Sequence, residues 1–234
     1  MKQPNGQVAG HRCDDRLPKA DGNVEERRDA TKAIIQKEYG PPDVLELGDI
    51  ERPEIGDGEV LVRVRAAGVD RGVWHLMKGM PYLLRLFGYG LRAPKNPIPG
   101  MDVSGIVETV GENVSRFRPG DEVFGVGVGT FAEYASARED KLAPKPSNLT
   151  FEEAAVLAIS GSTALQAVRD HGRVEPGQKA LIIGASGGVG SFAVQIAKAF
   201  GAEVAGVCSA AKVEMVRSIG ADHVIDYTRE DFAE

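Results

Sequence analysis

Ala180-Leu181-Ile182-Ile183-Gly184-Ala185-Ser186-Gly187-Gly188-Val189-Gly190 passes from an apolar run through clustered glycines into Ser191-Phe192-Ala193-Val194-Gln195-Ile196-Ala197-Lys198. The run has the composition of a buried strand, and the segment after the glycines is amphipathic. The pattern therefore predicts strand (Ala180 to Ile183), tight turn, and helix (Val189 to Phe200). Glycines let a backbone turn sharply and approach an anion, and a helix start offers unpaired N–H groups and a positive dipole end. Gly184, Ser186, Gly187, Gly188, Val189 and Gly190 are thus the candidate residues for a dinucleotide pyrophosphate, and Gly190 would also let the helix lie close on the strand. A structural turn uses the same residue types, so the flanking pattern has to decide.

That pattern continues outward. A strand is expected over Val204 to Val207, a helix over Ala211 to Ile219, and a strand over His223 to Asp226. Strands alternating with helices predict a parallel sheet. The end of the second strand sorts the cofactor, because a carboxylate there suits a ribose hydroxyl and a basic or hydroxyl residue suits a 2′-phosphate. Cys208-Ser209-Ala210-Ala211-Lys212 holds no carboxylate, so Ser209 and Lys212 favour NADPH. The plain alternative is that Lys212 only solvates a helix start. Cys208 reads as a buried thiol. Upstream, Thr150-Phe151-Glu152-Glu153 predicts a capping box, with Thr150 as N-cap, and a second helical stretch runs from Ser162 toward Arg169.

Residues 32–148 read differently. Val60-Leu61-Val62-Arg63-Val64-Arg65-Ala66 alternates from Leu61 onward like a half-buried strand. Ser104 to Val110 and Asp121 to Val126 are further β-like stretches, with Gly and Pro between them, which predicts a compact and mostly β unit. Residues 1–31 are polar and mixed in charge, and a flexible extension is expected there, either a partner-binding tail or a loose terminus. The formal charge of −6 argues against a phosphate-driven nucleic-acid binder. No apolar run is long enough for a bilayer, no signal peptide is visible, and only Cys13 and Cys208 carry thiols. A small-molecule substrate, no nucleic acid or membrane partner, and a cytoplasmic setting are expected.

Several segments together carry a family likeness: Ala66-Ala67-Gly68-Val69, Pro99-Gly100-Met101-Asp102-Val103-Ser104-Gly105, Arg118-Pro119-Gly120-Asp121-Glu122-Val123, Phe131-Ala132-Glu133-Tyr134, Gly161-Ser162-Thr163-Ala164, the glycine turn, and Gly220 to Tyr227. From Lys32 onward the chain resembles the medium-chain dehydrogenase/reductases, in their quinone-oxidoreductase branch. The resemblance implies an α/β plus β fold, in which a GroES-like β-barrel domain (32–148) precedes a partial Rossmann doubly wound parallel sheet (149–234), with the active site in the cleft between them. It implies that Thr163 lies near the nicotinamide and that Lys212 and Tyr227 bracket the 2′-phosphate.

The same resemblance tests for zinc. The zinc enzymes place a Cys and a His where this chain has Asp70 and Met101, and the four-cysteine structural lobe is absent. No metal site is expected. In the quinone branch an Asn and a Tyr stand where Asp70 and His75 occur, which makes Asp70 and His75 the candidate catalytic pair, with His75 as proton donor. A loop-capping Asp and a packed or exposed His are the alternatives. Trp74, Met77, Tyr82, Leu83 and Phe87 would line an apolar pocket or belong to the core. The expected function is NADPH-dependent hydride transfer to a quinone, enone or carbonyl without zinc. The alternative is a catalytically incomplete nucleotide-binding or interaction protein, because the sequence ends at Glu234 where the resemblance implies further strands. On that reading the chain is a fragment or a truncated product, and a homodimer would depend on the missing part. A short-chain dehydrogenase is set aside, since that family's glycine turn stands near the start of its domain.

Overall fold

The computed structural model describes residues 30–83 and 85–230, so the extension expected over 1–31 lies almost wholly outside the described residues. Its last two positions, Ala30 and Thr31, already belong to strand β1 (Ala30–Gln36), which forms an antiparallel hairpin with β2 (Leu45–Glu51). Next come β3 (Glu59–Ala67), helix α1 (Arg71–Lys78), β4 (Asp102–Val110), β5 (Glu122–Val126), β6 (Tyr134–Arg138) and β7 (Leu142–Pro144). They pair antiparallel in the order β6-β3-β4-β5-β7. Val60, Val62, Val103, Val107 and Val123 are fully or almost fully buried between the strands, as β-branched residues on a pleated surface favour.

The expected barrel is corrected to an open five-stranded sheet with a flanking hairpin. The hairpin is tied to the sheet only locally. Ala33 bridges Ala132, the Ile34 N–H donates to the Phe131 carbonyl at 2.8 Å, and the Glu133 N–H donates to Lys32 at 2.9 Å. These contacts at the approach to β6 are too few to make a continuous ladder.

Thr150 opens the second unit with the expected capping box. Its hydroxyl accepts the Glu153 N–H, and the Glu153 carboxylate accepts the Thr150 N–H at 2.9 Å. The helix it starts, α2 (Phe151–Ala154), is a single turn. Helix α3 (Ala158–Leu165) begins earlier than Ser162 and runs into a wider turn at Gln166–His171, where the Gly172 N–H reaches back to Ala167. Beyond it, β8 (Lys179–Ile183), α4 (Gly188–Ala199), β9 (Glu203–Cys208), α5 (Val213–Ser218) and β10 (His223–Asp226) alternate as expected, and the strands are parallel in the order β10-β9-β8. Val194, Ala197, Val204 and Val216 fill the space between helices and sheet. Leu181 and Ile183 point to the other face of β8 and stay 48% and 65% exposed.

The two units meet at Asp102, the first residue of β4. It is 2% exposed, and its Oδ1 accepts the Ile159 N–H from the first turn of α3 at 3.0 Å. Burial pushes its carboxyl up to about 6, against the pull of the Ile159 N–H, and the nearby Asp70 charge adds to the rise. A folded-state value above the unfolded one, about 3.9, means that the unfolded chain ionises first as pH rises. This carboxyl therefore removes stability between about pH 4 and about pH 6, and the loss is complete above that window. Asp102→Asn keeps an oxygen for Ile159 and loses the charge. Its melting temperature relative to the parent is expected to climb across that window when melts are recorded in steps of pH, and a flat difference would contradict this account.

Candidate cofactor cleft

The glycine turn is held by the sheet it leaves. The N–H groups of Gly184 and Ala185 both donate to the Val207 carbonyl of β9 at 3.0 Å, and the Gly187 N–H donates to Gly184 at 2.9 Å. Gly184 has φ +76°, a conformation that glycine adopts at no steric cost. A Cβ at position 190 would stand 2.1 Å from the Gly184 carbonyl oxygen, so only glycine permits the crossing of turn and helix. Gly187 is the N-cap of α4 and supplies no side-chain bond, and the first intrahelical donor is Ser191, which reaches Gly187 at 2.9 Å. The N–H groups of Gly188, Val189 and Gly190 are the helix's orphan donors, and Gly188 and Val189 are exposed. That is an anion-binding helix start. Ser186 sits half-buried on the same turn.

The other cofactor candidates gather at the same edge of the sheet. Cys208 pairs with Asp226 at the C-terminal ends of β9 and β10, and the Tyr227 N–H donates to the Cys208 carbonyl at 3.2 Å. Ser209 and Tyr227 therefore leave neighbouring strands side by side. Lys212 ends the short turn after Ser209, its N–H donating to the Ser209 carbonyl at 2.8 Å, and its side chain is exposed. Binding at the C-terminal ends of parallel strands is the general rule for such sheets.

Sequence reasoning missed what holds this edge. Asp226 is buried, and its Oδ1 accepts the Thr228 hydroxyl at 2.8 Å and the Thr228 N–H at 3.1 Å. These bonds, led by the Thr228 hydroxyl, hold its carboxyl below the usual range. Cys208 is the buried thiol expected, pushed up by burial and then by the Asp226 charge. Thr163 is exposed on α3, and its hydroxyl donates to the Ile159 carbonyl at 2.7 Å. Ser160 was also missed. Its Oγ lies 3.2 Å from the place a Cβ on Gly188 would take, so α3 presses on the start of α4. The available signal was a polar residue on the buried phase of an otherwise apolar segment, as at Asp102.

The catalytic candidates fare differently. Asp70 is the N-cap of α1, and its Oδ1 accepts the Val73 N–H at 2.7 Å. That is the capping alternative, and no hydrogen bond from Asp70 orients His75 among the described residues. His75 is half-buried in the last turn of α1, with Trp74 edge-on at 5.1 Å and its Nδ1 buried without a partner. The Asp70 oxygen is committed to its helix, Asp102 is committed to Ile159, and Met101 offers only a thioether. Among the described residues, no three His, Cys, Asp or Glu side chains lie together, and no helix is long and apolar enough to cross a membrane. Of the apolar residues considered for a pocket, Met77 lines a cavity, whereas Tyr82, Leu83 and Phe87 are exposed.

Two family models match separate parts of the chain. Residues 56–147 match the alcohol dehydrogenase GroES-like domain, and residues 188–234 match the zinc-binding dehydrogenase family. The chain is 36% identical over 215 residues to a 2-methylene-furan-3-one reductase of Solanum lycopersicum, covering 86% of this chain and 53% of that protein. It is 36% identical over 220 residues to an NADPH-dependent alkenal/one oxidoreductase, chloroplastic, of Arabidopsis thaliana, again covering 86% and 53%. A quinone oxidoreductase structure from Coxiella burnetii superposes with a TM-score of 0.78 at 32% identity, covering 87% of this chain and 64% of that one. The chain spans about half the length of these curated relatives.

Gly190→Ala tests the turn. The added methyl meets a carbonyl oxygen of a residue whose own N–H is tied to the sheet, so a loss of about 1–3 kcal/mol in urea unfolding is expected. Nucleotide binding should vanish in fluorescence titrations under conditions where the variant remains folded.

Proposed function

The chain belongs to the medium-chain dehydrogenase/reductase superfamily, in its quinone-oxidoreductase-like branch, and we propose that it is part of an NADPH-dependent reductase of enones, quinones or related carbonyls that works without zinc. One observation carries the reading: the uncapped start of α4 lies at the same sheet edge as Ser209, Lys212 and Tyr227. The N–H groups of Gly188, Val189 and Gly190 bind the pyrophosphate there, aided by the helix dipole. Ser209 and Tyr227 bond the 2′-phosphate and Lys212 pairs with it, which distinguishes NADPH from NADH. Thr163, on the helix that presses on this turn, positions the nicotinamide end.

NADPH, held by these residues, would supply the hydride that the electron-poor carbon of the acceptor takes up. The protein's own part is orientation and charge stabilisation. Asp70 caps the start of α1, and His75 lies in the last turn of the same helix. In this reading His75 gives the proton that completes the reduction. The names of the two plant relatives, one a furanone reductase and one an alkenal/one oxidoreductase, favour this reading over that of a nucleotide-binding protein without catalysis.

Cofactor fluorescence titrations test it directly. Saturable NADPH binding, with NADH weaker, is expected for the parent. Lys212→Ala combined with Ser209→Ala should weaken NADPH by about tenfold or more, as loss of charge-assisted bonds does, and leave NADH nearly unchanged. Equal losses for both cofactors would remove the 2′-phosphate assignment, and no binding of either would remove the reading.

A further inference from the structure

A cavity of about 660 Å³ lies against α1, lined by Val73, Leu76 and Met77 but not by His75. The spacing of these three places them on one helix face. Ile98, Met101 and Val128 belong to the facing walls. The volume falls within the range of about 300–1,000 Å³ typical of small-molecule sites.

Of the polar side chains on its lining, Lys95 and Asn96 are exposed, and Gln36 and Tyr39 are already used. Gln36 donates through Nε2 to the Met77 carbonyl at 2.6 Å and to the Glu38 carbonyl at 2.8 Å. The Tyr39 hydroxyl lies 2.8 Å from the carbonyls of both Tyr89 and Gly90. An occupant that needs several hydrogen bonds, ordered water included, finds few partners here, whereas an apolar one buries surface at little polar cost. The rim matches, since Val128 is 59% and Tyr89 47% exposed.

Met101 joins this cavity to the candidate catalytic residue Asp70. A Cβ on Gly72 would lie 3.6 Å from Met101 Cε and 3.1 Å from Asp70 Oδ1, so the thioether tip and the carboxylate converge on one point of α1. Met101 is thus a wall of the cavity and a neighbour of Asp70.

We propose that this cavity binds a linear, neutral apolar chain, the tail of an enone or quinone whose reactive head lies on the Asp70 side of Met101. The assignment of tail to substrate rests on the reductase reading above, while the binding of an apolar chain stands apart from it. Met101 then acts as a specificity-determining residue, setting how directly head and tail communicate.

The test uses the whole 234-residue chain. N-Phenyl-1-naphthylamine, a neutral fluorophore, is titrated without nucleotide and displaced with methyl nonyl ketone. Val128→Trp, at an exposed rim position, and Leu76→Phe each fill the cavity from a different wall. Each is expected to weaken probe binding by about tenfold or more, the scale on which apolar pockets discriminate size. In parallel, NADPH oxidation is followed with methyl vinyl ketone and with its n-hexyl-substituted homologue. The long-to-short ratio of kcat/KM should exceed one in the parent and fall by a similar factor in both variants. Unchanged probe binding in both variants, or turnover with a ratio that neither variant moves, overturns the proposal. Probe binding lost in both variants with no NADPH oxidation at all keeps the apolar site and removes the reductase reading instead.

Discussion

The backbone crossing between positions 184 and 190 governs the second half of the molecule. There is no room for a side chain at 190, because the Gly184 carbonyl oxygen occupies that space, and the turn hangs by two N–H bonds from the Val207 carbonyl. Turn, helix start and neighbouring strand are therefore one object. Once they are set, the orphan donors of α4 must point past the ends of the strands. The parallel register of β9 with β10 then delivers Ser209 and Tyr227 to the same edge. Asp226 locks that edge from beneath through its bonds to Thr228.

A second constraint links this edge to the β unit. Asp102 accepts the Ile159 N–H, Ser160 is the next residue of α3, and Ser160 presses on Gly188 at the start of α4. Two short contacts, joined through adjacent residues of α3, thus run from the first residue of β4 to the helix start that would receive the pyrophosphate. A buried carboxylate is a costly way to make such a joint. Its cost also makes it specific, since displacing the Ile159 N–H would leave a desolvated charge with no partner.

Local patterns were legible in the sequence. The strands and helices from Lys179 to Asp226 follow the hydrophobic periodicity to within a residue or two, and the capping box at Thr150 forms as its residue types require. What escaped depends on contacts between distant segments. Barrel closure needs pairing between the hairpin and β6, which no single stretch specifies, and here it is confined to a few bonds. The cap that Asp70 makes for α1 was open in the sequence as one of two readings, because capping follows from where a helix begins. Asp102 gave a signal that is readable in hindsight: an acidic residue in phase with buried Ser104. The glycine turn and the strand ends that bear the proposed cofactor residues were legible because they are local features. Of the cavity against α1 only Met77 was among the residues considered for a pocket, because its other walls come from segments far apart in the chain.

The setting of Cys208 has a consequence for the chain's durability. Quinones and enones are electrophiles that alkylate thiolates, so a protein that handled them would be exposed to its own substrates. Cys208 is 3% exposed, and burial together with the Asp226 charge raises its thiol pKa. Both the nucleophilic form and the access it needs are suppressed. The parallel pairing that sets Cys208 beside Asp226 thereby gives this thiol chemical inertness toward the compounds the cleft is proposed to receive.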